Sequence, residues 1–158
     1  MSNAHKPVMV KEILDKIDFS RCNLFLDGTY GGGGHTNEIL SKGSSVLALD
    51  NYLKSETIAL SNQKFDSKFH FFRSNFKNID KIILENNIQQ KFDGVLLDLG
   101  FSSNQLEDDT VGLSFKNDVP LNMNYADYEI SAYDILNDYS KEQLTKIFRE
   151  YGEISNAK

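Results

Sequence analysis

Two carboxylates and a run of glycines stand where α/β proteins bring their backbone close to a ligand. The apolar residues 24–26 are followed by Asp27 and then by four consecutive glycines at 31–34, and a second apolar run, 45–49, ends at Asp50. Glycine has no Cβ to block a ligand, and a carboxylate at the end of a second strand can accept hydrogen bonds from ribose hydroxyls. These residues predict a nucleoside cofactor site. The alternative is a tight turn that binds nothing.

The residues around the glycines distinguish between nucleoside cofactors. A phosphate-binding P-loop requires Lys and then Ser or Thr after its last glycine, whereas Gly34 is followed by His35. The dinucleotide pattern G-x-G-x-x-G fails as well, since counting from Gly31 it ends at Thr36. Asp27 would repel a pyrophosphate but suits a ligand with a positively charged amino acid end. We therefore expect S-adenosylmethionine, with Asp27 and Gly31 among the residues that bind it.

The composition is that of an ordinary globular domain. The chain has 158 residues, 40% of them hydrophobic and 25% charged, which predicts one domain with a single core. No apolar run approaches the roughly 20 residues that cross a bilayer, and the N-terminus lacks the basic-then-apolar pattern of a signal peptide. We expect a cytoplasmic location. The single cysteine, Cys22, excludes an intramolecular disulfide.

The net charge of −6 is unevenly distributed. Residues 104–138 carry eight acidic side chains against one basic side chain, Lys116, and the rest of the chain is nearly balanced. Loose binding along nucleic acid is disfavoured, because a protein that slides on a polyanion needs a broad basic surface. Any contact with a polyanion should come from the first hundred residues or from the C-terminal end.

Apolar runs alternate with helical patterns through the first hundred residues. This alternation predicts right-handed crossovers and a doubly wound parallel sheet, an α/β fold with the strand order 3-2-1-4. Strands are expected at 23–27, 45–50, 69–73 and 92–98, and helices at 7–17, 36–40, 54–63 and within 75–87. The last strand is a continuous apolar run, which is typical of a strand covered on both faces.

The pattern changes after Gly100. Residues 101–130 show no periodicity, whereas 132–137 and 141–151 predict two short helices. Ser140 precedes the second of these helices, and a glutamine stands three residues after it. This spacing indicates a capping box at the start of the helix.

Further candidate site residues follow the predicted strands, because ligands of such sheets bind outside the carboxyl ends of the strands. Asp98 follows the fourth strand and should face the same crevice as Asp27; a turn-forming or helix-capping role is the alternative. Phe76 follows the third strand and is either a stacking surface for a purine or part of the core. His35 is more typical of a helix-end hydrogen-bonding group than of a catalyst. The three histidines have no metal-ligand spacing, and we predict no metal site.

Four motifs occur in order along the chain: His5–Met9, Asp27–His35, Leu96–Leu106 and Gly112–Phe115. Together they resemble the family of bacterial 16S ribosomal RNA cytosine-N4 methyltransferases, which use S-adenosylmethionine. The resemblance implies a Rossmann-like methyltransferase fold. In it, residues 1–105 form the cofactor-binding core and residues 106–158 form a loop and the start of a helical insertion.

The resemblance also assigns roles to single residues. The implied cofactor contacts are Gly33, Gly34 and His35 at the methionine part, Asp50 at the ribose and Phe76 at the adenine, with Asp98 and Gln105 lining the site. The implied partner is the 16S RNA of the small ribosomal subunit.

The implied reaction is methyl transfer to the N4 amine of a cytosine. The lone pair of that amine is delocalised into the ring, so the enzyme must hold the amine in line and accept a hydrogen bond from it. Asp98 is the best-placed acceptor, with Ser102 and Ser103 as weaker ones. Two alternatives are a cofactor-binding remnant without catalysis and a nicotinamide-dependent oxidoreductase domain.

The sequence departs from the family pattern at several positions. The family usually has a basic residue at Gly32, a proline at Asn104, and Pro-Leu-Asp-Met-Arg-Met where residues 120–125 read Pro-Leu-Asn-Met-Asn-Tyr. The larger departure is length, because residues 152–153 match a point inside the helical insertion. We therefore expect a fragment, a truncated gene product or a diverged short form. Its fourth strand would be an uncovered apolar edge, which favours self-association. The alternative is that the helices at 131–151 fold back over this edge and give a monomer.

Overall fold

The computed structural model describes residues 7–61, 67–116, 118–124 and 129–158, and the chain divides into two compact units, Met1–Asn104 and Gln105–Lys158. His5, Tyr125 and the end of the expected helix 54–63 lie outside the described residues. The functional division into a cofactor-binding core and a helical insertion stays a prediction. No helix in the described ranges is long and apolar enough to cross a membrane.

The first unit is built on a four-stranded parallel sheet with the order β3-β2-β1-β4, which confirms the predicted α/β topology. Its strands are β1 (Leu24–Asp27), β2 (Ser45–Asp50), β3 (Phe69–Arg73) and β4 (Gly94–Leu96). Its helices are α1 (Val10–Leu14), α2 (Gly34–Ser41), α3 (Leu53–Leu60), a 3-10 turn (Phe76–Asn78) and α4 (Ile79–Glu85). Helix α5 (Ser103–Leu106) begins in this unit and ends in the second.

The sheet buries its two faces against different helices, because successive side chains of a strand point to opposite sides. One face, with Phe25 and Val46, packs in a cluster with Ile39 of α2. The other face, with Leu26, packs in a cluster with Ile82 of α4. Helices on both faces leave the carboxyl ends of the strands to the loops that form the site.

The first two helices differ from the predicted bounds at their starts. Helix α1 begins only after Met9, whose φ of 55° is left-handed, so the expected helix over 7–17 is shorter. Helix α2 begins at Gly34, two residues earlier than expected. Its N-cap, Gly33, has a φ of 76°, a conformation that glycine adopts without strain. The glycine run is therefore part of the start of α2 as well as of the turn before it.

Strand β4 is shorter and more exposed than expected. The apolar run 92–98 predicted a strand covered on both faces, but the ladder includes only Gly94–Leu96, and Val95 is 62% exposed. Within the described residues β4 pairs with β1 alone. It is an edge strand, and an edge strand has one neighbour fewer against which to bury its side chains.

The second unit contains two capped helices, α6 (Ala132–Asp138) and α7 (Lys141–Glu150). The predicted capping box at Ser140 is present, and Ser131 begins a second capping box that the sequence analysis did not identify. Helix α5 was also missed, because four residues are too few to show a helical period.

Candidate functional site

The structure brings three predicted carboxylates to the same edge of the sheet. Asp27 and Asp50 are the last residues of β1 and β2, and Asp98 follows the end of β4 by two residues. These strands are parallel neighbours, with β1 in the middle, so their carboxyl ends lie side by side. The edge is rich in hydrogen-bond acceptors.

Asp27 is almost completely buried, with 1% of its surface exposed. Its Oδ1 accepts the N–H of Thr29 at 3.0 Å, and its Oδ2 accepts the hydroxyl of Thr36 at 2.6 Å. Burial raises the pKa of the Asp27 carboxyl, and the hydrogen bonds from Thr36 and Thr29 offset part of that rise. The side chain therefore joins the loop after β1 to the first turn of α2 and places an acidic group beneath the site.

Asp50 attaches the glycine run to β2. Its Oδ2 accepts the N–H of Gly31 at 2.5 Å, and its Oδ1 accepts the N–H of Tyr52 at 2.8 Å. A second link runs from the N–H of Tyr30 to the carbonyl of Leu49, at 3.0 Å. A carboxylate has about four acceptor positions, so positions remain on Asp50 for the hydroxyls of a ligand.

The glycines of the run differ in what surrounds them. A Cβ added to Gly33 would lie 2.5 Å from the hydroxyl of Tyr30, and one added to Gly34 would lie 2.6 Å from the proline ring that precedes α1. The protein itself fills these two spaces. At Gly31 and Gly32 the nearest atoms are 3.9 and 3.6 Å from an added Cβ, which is ordinary van der Waals contact without a clash. Gly31 is half-buried and Gly32 is exposed, so these two residues form the open part of the run.

His35 is buried and bonded within the protein. Its Nε2 donates to the backbone carbonyl of Val8 at 2.8 Å, which fixes the segment before α1 against the start of α2. This is the helix-end hydrogen-bonding role that the sequence analysis considered. Contact between His35 and the methionine part of a cofactor stays a prediction.

Phe76 lies beside the junction of β1 and β4. It opens the 3-10 turn after β3 and is 39% exposed, so it is not a core side chain. Its Cβ lies 3.2 Å from a Cβ added to Gly28, and Leu97 Cδ2 lies 2.5 Å from the same point. A partly exposed aromatic ring is a suitable stacking surface for a base.

Among the residues expected to act on a substrate, Asp98 is less buried than the carboxylates of β1 and β2. Asp98 is exposed. The Cβ of Ser102 lies 3.9 Å from a Cβ added to Gly31, so Ser102 borders the open part of the glycine run. The side chain of Ser103 is outside those described, and Gln105 belongs to the second unit. The roles of Ser103 and Gln105 at the site stay predictions.

Two residues of this edge were missed in the sequence analysis. The hydroxyl of Thr29 accepts the backbone N–H of Asp98 at 2.7 Å. Tyr52, which donates its N–H to Asp50, is buried, and its hydroxyl donates to the carbonyl of Asn104 at 3.4 Å. The available signal for Tyr52 was its place two residues after an aspartate, the spacing of an Asx turn. The hydrogen bond of Thr29 spans 69 residues and left no local signal.

The edge offers acceptor oxygens, an open stretch of backbone and a flat aromatic ring. Among the residues that the structure describes, no group of three His, Cys, Asp or Glu side chains could hold a metal ion. Acceptor oxygens bind hydroxyl and ammonium groups, and an aromatic ring stacks on a base. These are the groups that a nucleoside with an amino acid end presents.

Comparison with known proteins identifies matches over nearly the whole chain. The model of the MraW methylase family matches residues 2–158. Three relatives named ribosomal RNA small subunit methyltransferase H come from Fusobacterium nucleatum (40% identity), Clostridium botulinum strain Loch Maree (36%) and Malacoplasma penetrans (38%). The alignments cover 98%, 97% and 98% of this chain but 50%, 50% and 51% of the relatives. The chain spans about half the length of the curated relatives it matches.

Proposed function

The chain belongs to the MraW methylase family, and we propose that it carries the S-adenosylmethionine-binding part of an enzyme that methylates the N4 amine of a cytosine in 16S ribosomal RNA. The observation that carries this proposal is the bond between Asp50 and Gly31, which joins the strand-end carboxylate to the open part of the glycine run. A ribose acceptor and an open backbone surface thereby stand next to each other. Small-subunit RNA as substrate rests on the names of the relatives.

The residues present fit the cofactor. Asp50 retains acceptor positions for ribose hydroxyls, and the backbone at Gly31 leaves room for a ligand. The exposed ring of Phe76 provides a surface for the adenine, and the buried carboxyl of Asp27 attracts a positive ammonium group. We assign the contacts with the methionine part to Gly33, Gly34 and His35, with Asp98 and Gln105 lining the site.

Bound S-adenosylmethionine would supply an electrophilic methyl group, and the chain's own residues would have to hold the nucleophile. The cytosine amine becomes acidic as its nitrogen gains a fourth substituent, so an acceptor for its N–H stabilises the transition state. Asp98 is the carboxylate that is exposed at this edge. We propose Asp98 as the catalytic acceptor, with Ser102 and Ser103 as secondary ones. The target base would have to leave its stack to reach Asp98.

The length of the relatives favours one second candidate function. Because the chain spans about half of each relative, a cofactor-binding protein without catalysis is the alternative. Both candidates predict binding of the cofactor, and only methyl transfer separates them. We propose a cytoplasmic location for either, since ribosomal RNA is the expected partner.

The test uses a chimera in which residues 1–158 replace the matching part of the Fusobacterium nucleatum relative. The chimera is incubated with small ribosomal subunits and S-adenosylmethionine that carries a labelled methyl group, and the RNA is digested to nucleosides. We expect the label in N4-methylcytidine. Label in another nucleoside would contradict the proposed substrate. An unlabelled digest from a chimera that binds the cofactor would favour the second candidate function.

We also propose that the free edge of β4 pairs with a second copy of the chain. Val95 is 62% exposed on a strand that, within the described part of the chain, pairs with β1 alone. Unpaired amides beside apolar side chains favour edge-to-edge pairing, and a lysine on the edge opposes it. We expect sedimentation to show a concentration-dependent dimer that Val95→Lys abolishes. Leu84→Lys, at an exposed leucine of α4, is the matched control and should leave the dimer intact. A monomer at all concentrations would refute this pairing.

A further inference from the structure

We infer that Thr29 is a positioning residue that holds the loop after β4, and thereby Asp98, against the glycine run. This inference rests on the proposed function, in which Asp98 meets the target amine. Thr29 follows Gly28 in the loop after β1. Its two hydrogen bonds connect the buried carboxylate of the site to the exposed one.

The two bonds of Thr29 run in opposite directions. Its backbone N–H donates to Oδ1 of Asp27 at 3.0 Å, and its side-chain Oγ1 accepts the backbone N–H of Asp98 at 2.7 Å. Asp27 is buried and also accepts the hydroxyl of Thr36, so it is a fixed anchor. The backbone of Asp98 is thereby linked, through Thr29, to the buried side chain of Asp27.

The bond to Asp98 continues the β1–β4 ladder beyond its last strand residues. Gly28 donates its N–H to the carbonyl of Leu96, the last residue of β4, at 3.0 Å. Thr29 then provides the next link through its side chain. The side-chain oxygen of Thr29 thus takes the place of a backbone carbonyl as the acceptor, beyond the last residues of β1 and β4.

The segment that this bond holds has little packing of its own. Leu97, Asp98 and Leu99 are exposed, and a Cβ added to Gly100 would have no atom within 4 Å. A surface loop with few contacts samples many conformations, so a carboxylate on it is poorly placed for chemistry. One bond at the backbone of Asp98 restricts the point from which its side chain extends.

The neighbouring threonine, Thr36, provides a matched control. Its hydroxyl also donates to Asp27, but Thr36 is completely buried and belongs to α2 and not to the loop after β1. Thr36→Val removes a hydroxyl from the same carboxylate and should destabilise the fold without releasing Asp98. Thr29→Val removes the bond to Asp98 with almost no change of shape, and Thr29→Ser restores it.

The test is amide hydrogen exchange in residues 1–158, monitored by NMR. In the wild type the Asp98 amide should exchange more slowly than the amide of Leu99, its exposed neighbour. A net hydrogen bond of this kind corresponds to roughly a three- to tenfold change in exchange. We expect that acceleration at Asp98 in Thr29→Val, but not in Thr29→Ser or Thr36→Val. Equal protection factors of the Asp98 and Leu99 amides in the wild type would overturn the inference. An Asp98 amide that exchanges at the same rate in the wild type and in Thr29→Val would overturn it as well.

A titration of the same samples with S-adenosylhomocysteine adds a spectroscopic signature of positioning. In the wild type and Thr29→Ser, the ligand should shift the amide signals of Gly31, Asp50 and Asp98. In Thr29→Val the responses of Gly31 and Asp50 should persist while that of Asp98 is lost. An unchanged Asp98 response in Thr29→Val would refute the positioning role. If no wild-type signal responds to the ligand, the proposed function fails, whereas the exchange rates still decide whether Thr29 holds the loop.

Discussion

The carboxyl ends of β1 and β2 form a rigid half of the site, whereas the carboxyl end of β4 forms an exposed half. Both oxygens of Asp27 and both oxygens of Asp50 accept hydrogen bonds, from the neighbouring loops and from the first turn of α2. Asp98 is exposed, and its link to the first half is a backbone bond to Thr29. The first half lies among buried strands, and the second lies at the edge of the sheet.

This difference indicates how the work of the site is divided. Groups that bind a cofactor must be fixed before the cofactor arrives, because ordering them on binding would cost affinity. The hydrogen bonds of Asp27 and Asp50 would meet that requirement for the proposed cofactor. The exposed half carries the group proposed for the chemistry. Since residues 1–158 span about half the length of the relatives, we expect catalysis to depend also on the part of the enzyme that lies outside this match.

The largest expected effect is the complete loss of methyl transfer when residues 1–158 are tested without the part of the relatives that they do not match. Residues 1–158 alone should transfer no methyl group to small ribosomal subunits above background, whereas the chimera with the Fusobacterium nucleatum relative should be active. The reason is that the reacting amine must be held in line with the methyl group of the cofactor, and the exposed carboxyl end of β4 does not hold it on its own. A radiolabelled methyl-transfer assay makes the comparison. Transfer by residues 1–158 alone would show that the exposed half needs no further part of the enzyme for catalysis.

The next effect concerns the single group proposed for the chemistry. Asp98→Asn in the chimera should slow methyl transfer by roughly 100-fold, because it replaces the charged acceptor with a neutral amide of the same shape. The affinity for S-adenosylhomocysteine should change by less than about threefold, as expected for a group that acts mainly in the transition state. Single-turnover rates and calorimetry measure the two quantities. Equal losses of rate and affinity would move Asp98 into the binding half.

A smaller effect is expected in the rigid half. Asp50→Ala should weaken binding of S-adenosylhomocysteine about tenfold or more, the loss expected for a charged hydrogen bond to ligand. Asp93→Ala is the matched control, because Asp93 also accepts two backbone N–H groups, from Asn23 and Leu24, but at the opposite end of β1. Calorimetry should show that the control binds like the wild type. Similar affinities for Asp50→Ala and the wild type would contradict the ribose assignment.

The smallest effect is on stability and depends on pH. Burial raises the pKa of Asp27 above its ordinary value of 3.8. The contribution of this carboxyl to the free energy of folding is therefore fully present below pH 3.8 and is lost as the pH rises through the folded-state pKa. An asparagine at this position can accept from Thr29 and donate to Thr36 without carrying a buried charge. Asp27→Asn should therefore raise the melting temperature at pH 7 by roughly 2–4 °C. The gain should shrink as the pH falls towards 4.

Thermal melts of Asp27→Asn and the wild type between pH 4 and 8 measure this gain. A melting temperature for Asp27→Asn below that of the wild type at pH 7 would show that the charge itself stabilises the loop. The affinity of Asp27→Asn for S-adenosylhomocysteine should fall, because the ammonium group of the ligand loses an attractive charge.

The sequence predicted the buried half of the molecule better than the exposed half. Strands β1 and β2, which lie inside the sheet, are within a residue of their expected bounds, because a strand buried among neighbours is a continuous apolar run. Strand β3 also has its expected bounds, although it is the other edge strand and none of its residues is buried. Strand β4 has the same kind of run, but it pairs with β1 alone in the described part of the chain and is shorter than expected. An apolar run indicates that a strand is suited to burial, but it does not show whether another strand or a helix buries it.

Within the site, the residue types were predictable and their partners were not. The glycine run and the strand-end carboxylates are visible in the sequence, because turns and strand ends have local signatures. The bond between Gly31 and Asp50 depends on the register of β1 and β2, and the bond between Thr29 and Asp98 depends on the register of β1 and β4. Such pairings are set by tertiary contacts far apart in the chain, so a local pattern cannot contain them.

The central claim is that these residues already contain a complete cofactor-binding half, and calorimetry on residues 1–158 tests it most directly. Titration with S-adenosylhomocysteine should give saturable binding with one ligand per chain, and titration with NAD under the same conditions should give no heat of binding. Absence of binding by S-adenosylhomocysteine, or equal binding of NAD, would contradict the account.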